Sequence, residues 1–161
     1  GLGVGERVGN VQLDILLVNL KLMGWIDNDL TILPEYCKTI SKSCKVPVSV
    51  NYPVFGHDAF RTGTGVHAAA VIKALRKGDK WLADRVYSGV PAEMFGLEQI
   101  VEIGPMSGES NIIYWLEKRG YTPVEHLVHG LFNFAKSSNH VLTDGQIRNF
   151  IETYKFIEDD L

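Results

Sequence analysis

Apolar residues recur at helical spacing over the first third of the chain. Residues 11–23 form one apolar run that ends at Gly24, and Asn10 stands where an N-cap is expected. The run is apolar around most of its circumference, so we expect this helix to be buried on several sides. Residues 30–44 predict a second helix with one apolar stripe, in which Pro34 is acceptable only in the first turn.

The pattern then changes to an extended connector and a short strand. Residues 46–55 contain two prolines and alternating valines, which is typical of an extended segment. The Gly63-Thr64-Gly65 loop leads into an Ala-rich helix over residues 66–77. Residues 100–103 alternate in polarity and are the best candidate for a strand.

Polar residues ahead of apolar runs predict three more helices. Ser107 is expected to cap the first of them. Thr122 with Glu125, and Thr143 with Gln146, have the spacing of capping boxes and predict the last two. The whole pattern predicts a mainly α fold with a minor β component (α+β), built from small helical subdomains.

Composition narrows the class of protein. The chain has 161 residues, of which 45% are hydrophobic and 22% are charged, as in ordinary globular domains. The formal net charge is -3 without a basic block, so we expect no nucleic-acid partner. Apolar runs such as residues 15–18 are far too short for a membrane span, and no membrane partner is expected. Cys37 and Cys44 lie roughly 10 Å apart along one predicted helix, which favours reduced thiols in a cytoplasmic protein.

The five histidines include no His-x-His pair. His126 and His129 could reach one ion from one face of a helix. Because no third ligand stands beside them in the sequence, a surface pair is the simpler interpretation. We therefore expect that this chain alone does not hold a catalytic metal.

The first ten residues form a glycine-rich loop. Its glycines would let the backbone approach a ligand, and Asn10 opens a helix whose N-terminus favours anions. The structural alternative is a strand-to-helix turn with a surface pair, Glu6 and Arg7.

Two further residues have side chains suited to chemistry. His67 stands in the first turn of the Ala-rich helix, where the helix dipole favours the neutral imidazole that can abstract a proton. The alternative is a partly exposed histidine that packs against a loop. Tyr87 lies in a loop, and its hydroxyl could donate to a developing oxyanion or its ring could cover the edge of a core.

Taken in order, these segments resemble the 2-isopropylmalate synthases and their relatives, the homocitrate and citramalate synthases. Residues 3–10 are similar to the segment that follows the last barrel strand in that family. Residues 56–67 are similar to its G-x-(N/D)-A-F…(S/T)-G-(I/V)-H segment, and Tyr87 to a tyrosine ahead of its Gly-Leu turn. Ser107-Gly108 is similar to a later Ser-Gly pair.

The resemblance implies roles for seven residues. His67 would act in acid–base chemistry on acetyl-CoA, Tyr87 in the step after condensation, and Glu6 beside the metal at the barrel mouth. Substrate or CoA binding would fall to Arg7, Thr64 and Gly65, and the metal's coordination sphere would include or adjoin Asn10. Many relatives have histidine where this chain has Thr62 and Met106, which bears on the oxo acid more than on the reaction class.

The resemblance also implies how the chain is organised. Residues 1–27 would be the last loop and helix of a (β/α)8 barrel that this chain otherwise lacks. Residues 28–52 would be a helical linker subdomain, 53–121 an α+β accessory subdomain over the active site, and 122–161 a C-terminal helical segment, without a regulatory leucine-binding domain. The chain is thus expected to be a piece of a longer enzyme. In a homodimer, its accessory subdomain would serve the partner's barrel.

The implied reaction is the Claisen condensation of acetyl-CoA with 2-oxoisovalerate to 2-isopropylmalate, the first committed step of leucine biosynthesis. A divalent metal (Zn, Mn or Mg) would be held mainly by the barrel, so the fragment alone would be inactive. Two alternatives stay open. One is a citramalate or homocitrate synthase, and the other is a purely non-catalytic dimerisation and lid module.

Overall fold

A computed structural model describes residues 1–7 and 9–159, with side chains through residue 154. These residues form seven α-helices and a sheet of two short strands, which confirms the mainly α fold with a minor β component. The helices are α1 (Leu13–Leu22), α2 (Leu33–Cys44), α3 (Gly65–Arg76), α4 (Lys80–Ala83), α5 (Glu109–Lys118), α6 (Glu125–Ser137) and α7 (Asp144–Asp159). The strands are β1 (Arg61–Thr62) and β2 (Ile100–Val101), and a 3-10 helix covers Glu93–Phe95.

The chain divides into two compact units. The first unit consists of Gly1–Phe60 and Tyr87–Gln99, and the second of Arg61–Val86 and Ile100–Leu161. The chain therefore passes from the first unit to the second, returns to the first at Tyr87, and enters the second again at Ile100. The four segments expected from the sequence, with boundaries at residues 27, 52 and 121, stay a prediction.

The core of the first unit is small. Its buried side chains come from α1, from the segment just before α2, from the start of α2 and from the 3-10 helix. They are Val18, Leu30, Leu33 and Phe95. On α1, Leu13 and Leu16 remain 41% and 38% exposed, and Val11 just before the helix is 67% exposed. The expected burial of α1 on several sides is therefore not met within the described residues, where only one side of the helix is covered.

The second unit contains the larger core, which α5, α6 and α7 build together. Its fully buried side chains include Ile112, Trp115, Leu131 and Ile147. The Trp115 ring also carries the guanidinium of Arg119 at 4.0 Å from its centroid. The inward face of α3 packs through Ala68 and Ile72 against Val101 of β2. The parallel pair β1–β2 aligns Arg61 with Ile100 and Thr62 with Val101.

Only one of the predicted helix caps forms. Thr143 and Gln146 make the expected capping box, because the Gln146 amide donates to Thr143 Oγ1 at 3.2 Å and Gln146 Oε1 accepts from the Thr143 amide at 2.9 Å. The other three expectations are wrong, since Gln12 rather than Asn10 precedes α1, Gly108 rather than Ser107 precedes α5, and Val124 rather than Thr122 precedes α6.

The failed caps have specific causes. Asn10 turns back to donate to the Val4 carbonyl at 3.4 Å. Ser107 uses its hydroxyl on a carbonyl 44 residues away, that of Gly63. The Thr122 carbonyl accepts from the Val124 amide at 2.9 Å, a tight turn that separates Thr122 from the first turn of α6.

None of the described helices has the length and hydropathy needed to cross a membrane.

Candidate functional site

The Gly63-Thr64-Gly65 loop of the second unit joins β1 to α3, and its backbone is held on both sides. Before the loop, the Thr62 carbonyl accepts from the Glu102 amide at 3.0 Å. At its end, the Gly65 amide donates to the Met106 carbonyl at 2.9 Å. The loop therefore has a fixed path between the strand and the helix.

Two buried polar side chains meet at one carbonyl of this loop. Ser107 Oγ donates to the Gly63 carbonyl at 2.6 Å, and Asn111 Nδ2 donates to the same oxygen at 3.4 Å. Asn111 Nδ2 also donates to the Glu102 carbonyl at 2.9 Å. Ser107 is 2% exposed and Asn111 is 0% exposed, so both operate away from solvent.

Gly65 has a packing reason to lack a side chain. A Cβ atom on it would lie 2.7 Å from the Gly108 nitrogen and 3.2 Å from the Gly108 Cα. Both contacts are with backbone, which cannot move aside as a flexible side chain could. The geometry thus explains this glycine without a ligand, and the roles of Thr64 and Gly65 in CoA or substrate binding stay a prediction.

His67 is the third residue of α3 and lies in the first turn, as the sequence predicts. The side chain is exposed, whereas the next residue, Ala68, is fully buried. The imidazole therefore stands on the solvent side of the helix, at its N-terminal end, where the helix dipole is positive.

The first unit contains the other four candidates. Glu6, Arg7 and Asn10 are all exposed and belong to the loop before α1. Tyr87 is 52% exposed and begins the segment that returns to the first unit. The structure thus brings Glu6, Arg7 and Asn10 together on one loop, and it brings Thr64, Gly65 and His67 together at the start of α3.

A buried carboxylate that the sequence did not single out anchors the loop of Glu6 and Arg7. Asp14 of α1 is 0% exposed and accepts a 2.7 Å hydrogen bond from the Leu2 amide. Leu2 has φ +55, a left-handed conformation that is rare for a branched side chain. The Tyr52 hydroxyl donates to the other carboxylate oxygen at 2.7 Å.

The Cys37 thiol lies beside the same carboxylate. Burial, and then the charge of Asp14, raise the pKa of Cys37 to about 12. The thiol is therefore protonated and unreactive at neutral pH. The signal for this cluster in the sequence was a single acidic residue, Asp14, inside a mostly apolar run.

The described residues do not fit the divalent metal that the resemblance implies. No group of three or more His, Cys, Asp or Glu side chains in the described part of the chain is arranged to hold a metal ion. The His126 ring instead stacks on Tyr154, with ring centroids 5.8 Å apart. A single neutral amide such as Asn10 does not make a divalent site, so its role at the metal stays a prediction.

No protein-family model matches the chain. Individual relatives do. A homocitrate synthase of Pyrococcus horikoshii is 32% identical over 142 residues, which is 88% of this chain and 37% of that protein. The chain is a relative of the homocitrate and 2-isopropylmalate synthases. A putative 2-isopropylmalate synthase of Buchnera aphidicola is 29% identical over 137 residues (81% of this chain, 33% of the relative).

A third relative widens the set of activities. An (R)-citramalate synthase of Aquifex aeolicus is 29% identical over 122 residues, which is 73% of this chain and 21% of that protein. The chain spans only 21–37% of the length of these three relatives. The match is consistent with the C-terminal part of these enzymes, as the sequence motifs predicted.

Proposed function

We propose that this chain is the linker and accessory part of an enzyme that condenses acetyl-CoA with a 2-oxo acid. The preferred oxo acid is 2-oxoisovalerate, and the product is 2-isopropylmalate. The observation that carries the proposal is His67, an exposed imidazole in the first turn of α3. The loop just before this helix is held by the buried side chains of Ser107 and Asn111. The relation to synthases of this class supports it.

The chemistry explains why such a histidine is needed. The methyl group of a thioester is a very weak acid, so its proton is removed only by a base in a fixed position while the enolate is stabilised. A neutral imidazole at the positive end of a helix is suited to accept that proton. In this proposal Tyr87 donates its hydroxyl hydrogen in the later step, and Glu6 is held close to the reacting centre.

The remaining parts of the site belong to the rest of the enzyme in this proposal. The divalent metal is assigned to a barrel domain, because the described residues do not form a metal site. Arg7, Thr64 and Gly65 contact substrate or CoA, and Asn10 adjoins the metal. The working form is a cytoplasmic homodimer in which the accessory part of one subunit covers the barrel of its partner.

Homocitrate synthase is the second candidate, because a homocitrate synthase has the highest identity among the relatives described above, at 32%. The two candidates differ in the oxo acid that is condensed. Steady-state rates of the full-length enzyme with 2-oxoisovalerate, 2-oxoglutarate and pyruvate separate them. A clear preference for 2-oxoglutarate or pyruvate would overturn the assignment to 2-isopropylmalate synthesis while leaving the reaction class intact.

The test of His67 is its replacement by alanine in the full-length enzyme. We expect kcat to fall by about 10²–10⁴-fold, the usual contribution of a general acid or base, with metal content and folding unchanged. His129→Ala is the matched control, since His129 is an exposed histidine on α6 of the same unit. Near-normal turnover of His67→Ala would remove the basis of the proposal.

A non-catalytic dimerisation and lid module is the alternative from a different class. The exposed apolar side chains of α1 favour it, among them Leu13 and Leu16. It predicts that His67→Ala leaves turnover unchanged, whereas Leu16→Asp lowers the fraction of dimer in sedimentation experiments. A Leu16→Asp enzyme that stays fully dimeric would argue against a dimer contact through α1.

A further inference from the structure

The strongest buried polar cluster in the second unit lies directly beneath the loop that precedes His67. Asn111 is fully buried on α5, and Ser107 is 2% exposed just before that helix. Both donate to the Gly63 carbonyl, at 3.4 Å and 2.6 Å. Such a convergence of two buried donors on one loop carbonyl fixes the loop more firmly than the parallel strand pair alone would.

Every polar atom of the two side chains has a partner. Asn111 Nδ2 also donates to the Glu102 carbonyl at 2.9 Å, and its Oδ1 accepts from the Gly108 amide at 3.2 Å. Ser107 Oγ accepts from the Gly104 amide at 2.9 Å. The pair thereby connects the end of β2, the start of α5 and the loop before α3, and a fully satisfied network of this kind rigidifies the backbone around it.

The close contact of Gly65 with Gly108 completes the support. The Gly65 amide also donates to the Met106 carbonyl at 2.9 Å, in the same turn that contains Gly108. The loop is therefore fixed at Gly63 by side chains and at Gly65 by backbone. His67 follows two residues later, inside the first turn of α3, where the helical geometry transmits the position of the loop to the imidazole.

We propose that Ser107 and Asn111 are positioning residues for His67. This inference rests on the proposed function, because it assumes that His67 acts on the substrate. His67 is the third residue of α3, so the backbone of the first helical turn sets where its side chain begins. A displacement of roughly 1 Å of a catalytic group can lower a rate about 10²-fold, so a small shift of the loop has a large kinetic effect.

Ser107→Ala in the full-length enzyme is the primary test. It removes the shorter bond to the Gly63 carbonyl while Asn111 stays in place. We expect kcat to fall about tenfold, because a displaced imidazole removes the substrate proton more slowly. Ser107→Cys keeps the shape of the side chain, with a somewhat larger atom and only a weak donor. It carries the same expectation if the alanine variant does not fold.

A double-mutant cycle distinguishes positioning from general destabilisation. If Ser107 acts through His67, then Ser107→Ala lowers kcat in the wild-type enzyme but changes it less than about twofold in the His67→Ala enzyme. The matched control is a substitution at Ile147, which is 1% exposed in the core of the same unit. Of Ile147→Val and Ile147→Ala, the control is the variant whose unfolding midpoint is closer to that of Ser107→Ala. We expect this control to leave kcat unchanged.

The possible results separate this inference from the proposed function. If His67→Ala is inactive but Ser107→Ala retains kcat within about twofold of wild type, positioning is overturned and the function stands. Positioning is also overturned if Ser107→Ala lowers kcat by the same factor in the His67→Ala background as in wild type. It is overturned as well if Ser107→Ala lowers kcat no more than the Ile147 control does. If His67→Ala retains normal turnover, the proposed function fails and this inference fails with it.

Discussion

The Tyr52 hydroxyl donates a 2.7 Å hydrogen bond to Asp14 across 38 positions of the sequence. Asp14 is fully buried and also accepts from the Leu2 amide at 2.7 Å. The carboxylate thus holds the connector after α2, helix α1 and the loop that carries Glu6 in one arrangement. Burial, and then the bond to Asp14, raise the pKa of Tyr52 above its ordinary value.

Tyr52→Phe is expected to destabilise the protein by about 1.5–3 kcal/mol, because the hydrogen bond it removes ends on a charged, buried group. Urea denaturation monitored by circular dichroism measures the change. Tyr36→Phe is the matched control, since Tyr36 is a partly buried tyrosine of the same unit whose hydroxyl makes no hydrogen bond among the described residues. Equal midpoints for the two variants would contradict the assigned role of Asp14.

The buried Cys37 thiol predicts a loss of stability in alkaline solution. Burial and the neighbouring Asp14 raise the pKa of Cys37 from 9.0 to about 12. Between those values the unfolded chain releases the thiol proton while the folded chain keeps it. Stability is therefore complete below pH 9 and falls as the pH rises toward 12, with a slope of at most about 1.4 kcal/mol per pH unit from this group.

Urea denaturation at several pH values from 8 to about 10.5 checks this dependence. Cys37→Ala is expected to lower stability at pH 8, and the difference from wild type should shrink as the pH rises. Cys44→Ser is the control, because Cys44 is exposed at the end of α2. A difference between wild type and Cys37→Ala that stays constant over the whole range would mean that the folded-state thiol titrates normally.

The helices could be predicted from sequence because their periodic apolar faces are local. Thr143 and Gln146 form their capping box because both partners are three residues apart. Ser107 fails as a cap because its partner, the Gly63 carbonyl, lies 44 residues away and competes for the hydroxyl. Local rules hold where local groups are the nearest partners, and they fail where a distant carbonyl is closer.

The candidate site divides in the same way. The first-turn position of His67 was predictable, since the polar loop and the Ala-rich run are adjacent in sequence. The anchoring of the two loops was not predictable, because Asp14 meets Tyr52 over 38 residues and Asn111 meets Gly63 over 48. Only tertiary packing brings those pairs together. Candidate catalytic side chains were therefore easier to predict from the sequence than the buried side chains that fix their loops.

The close approach at Gly65 predicts unequal effects for the two glycines of one loop. Gly65→Ala would put a Cβ 2.7 Å from the Gly108 nitrogen, so we expect a loss of about 1–3 kcal/mol from overpacking. Gly63→Ala would meet only Val141 Cγ2, at 3.8 Å, so its effect should stay within about 0.5 kcal/mol. Thermal unfolding of both variants tests the pair. Similar losses would show that the backbone contact between Gly65 and Gly108 is not tight.

Thr122 and Thr143 both have the sequence spacing of a capping box, but only Thr143 forms one. Thr143→Ala removes the oxygen that accepts the Gln146 amide at the start of α7, so stability should fall by about 1 kcal/mol. Thr122→Ala should change stability by less than about 0.5 kcal/mol, because Val124 separates Thr122 from α6. Both side chains are exposed, so neither change leaves a cavity, and the difference in urea midpoint measures the cap alone. Equal losses at the two positions would mean that Thr122 caps α6 in solution. Its spacing to Glu125 predicts such a cap, whereas in this structure Val124 precedes the helix.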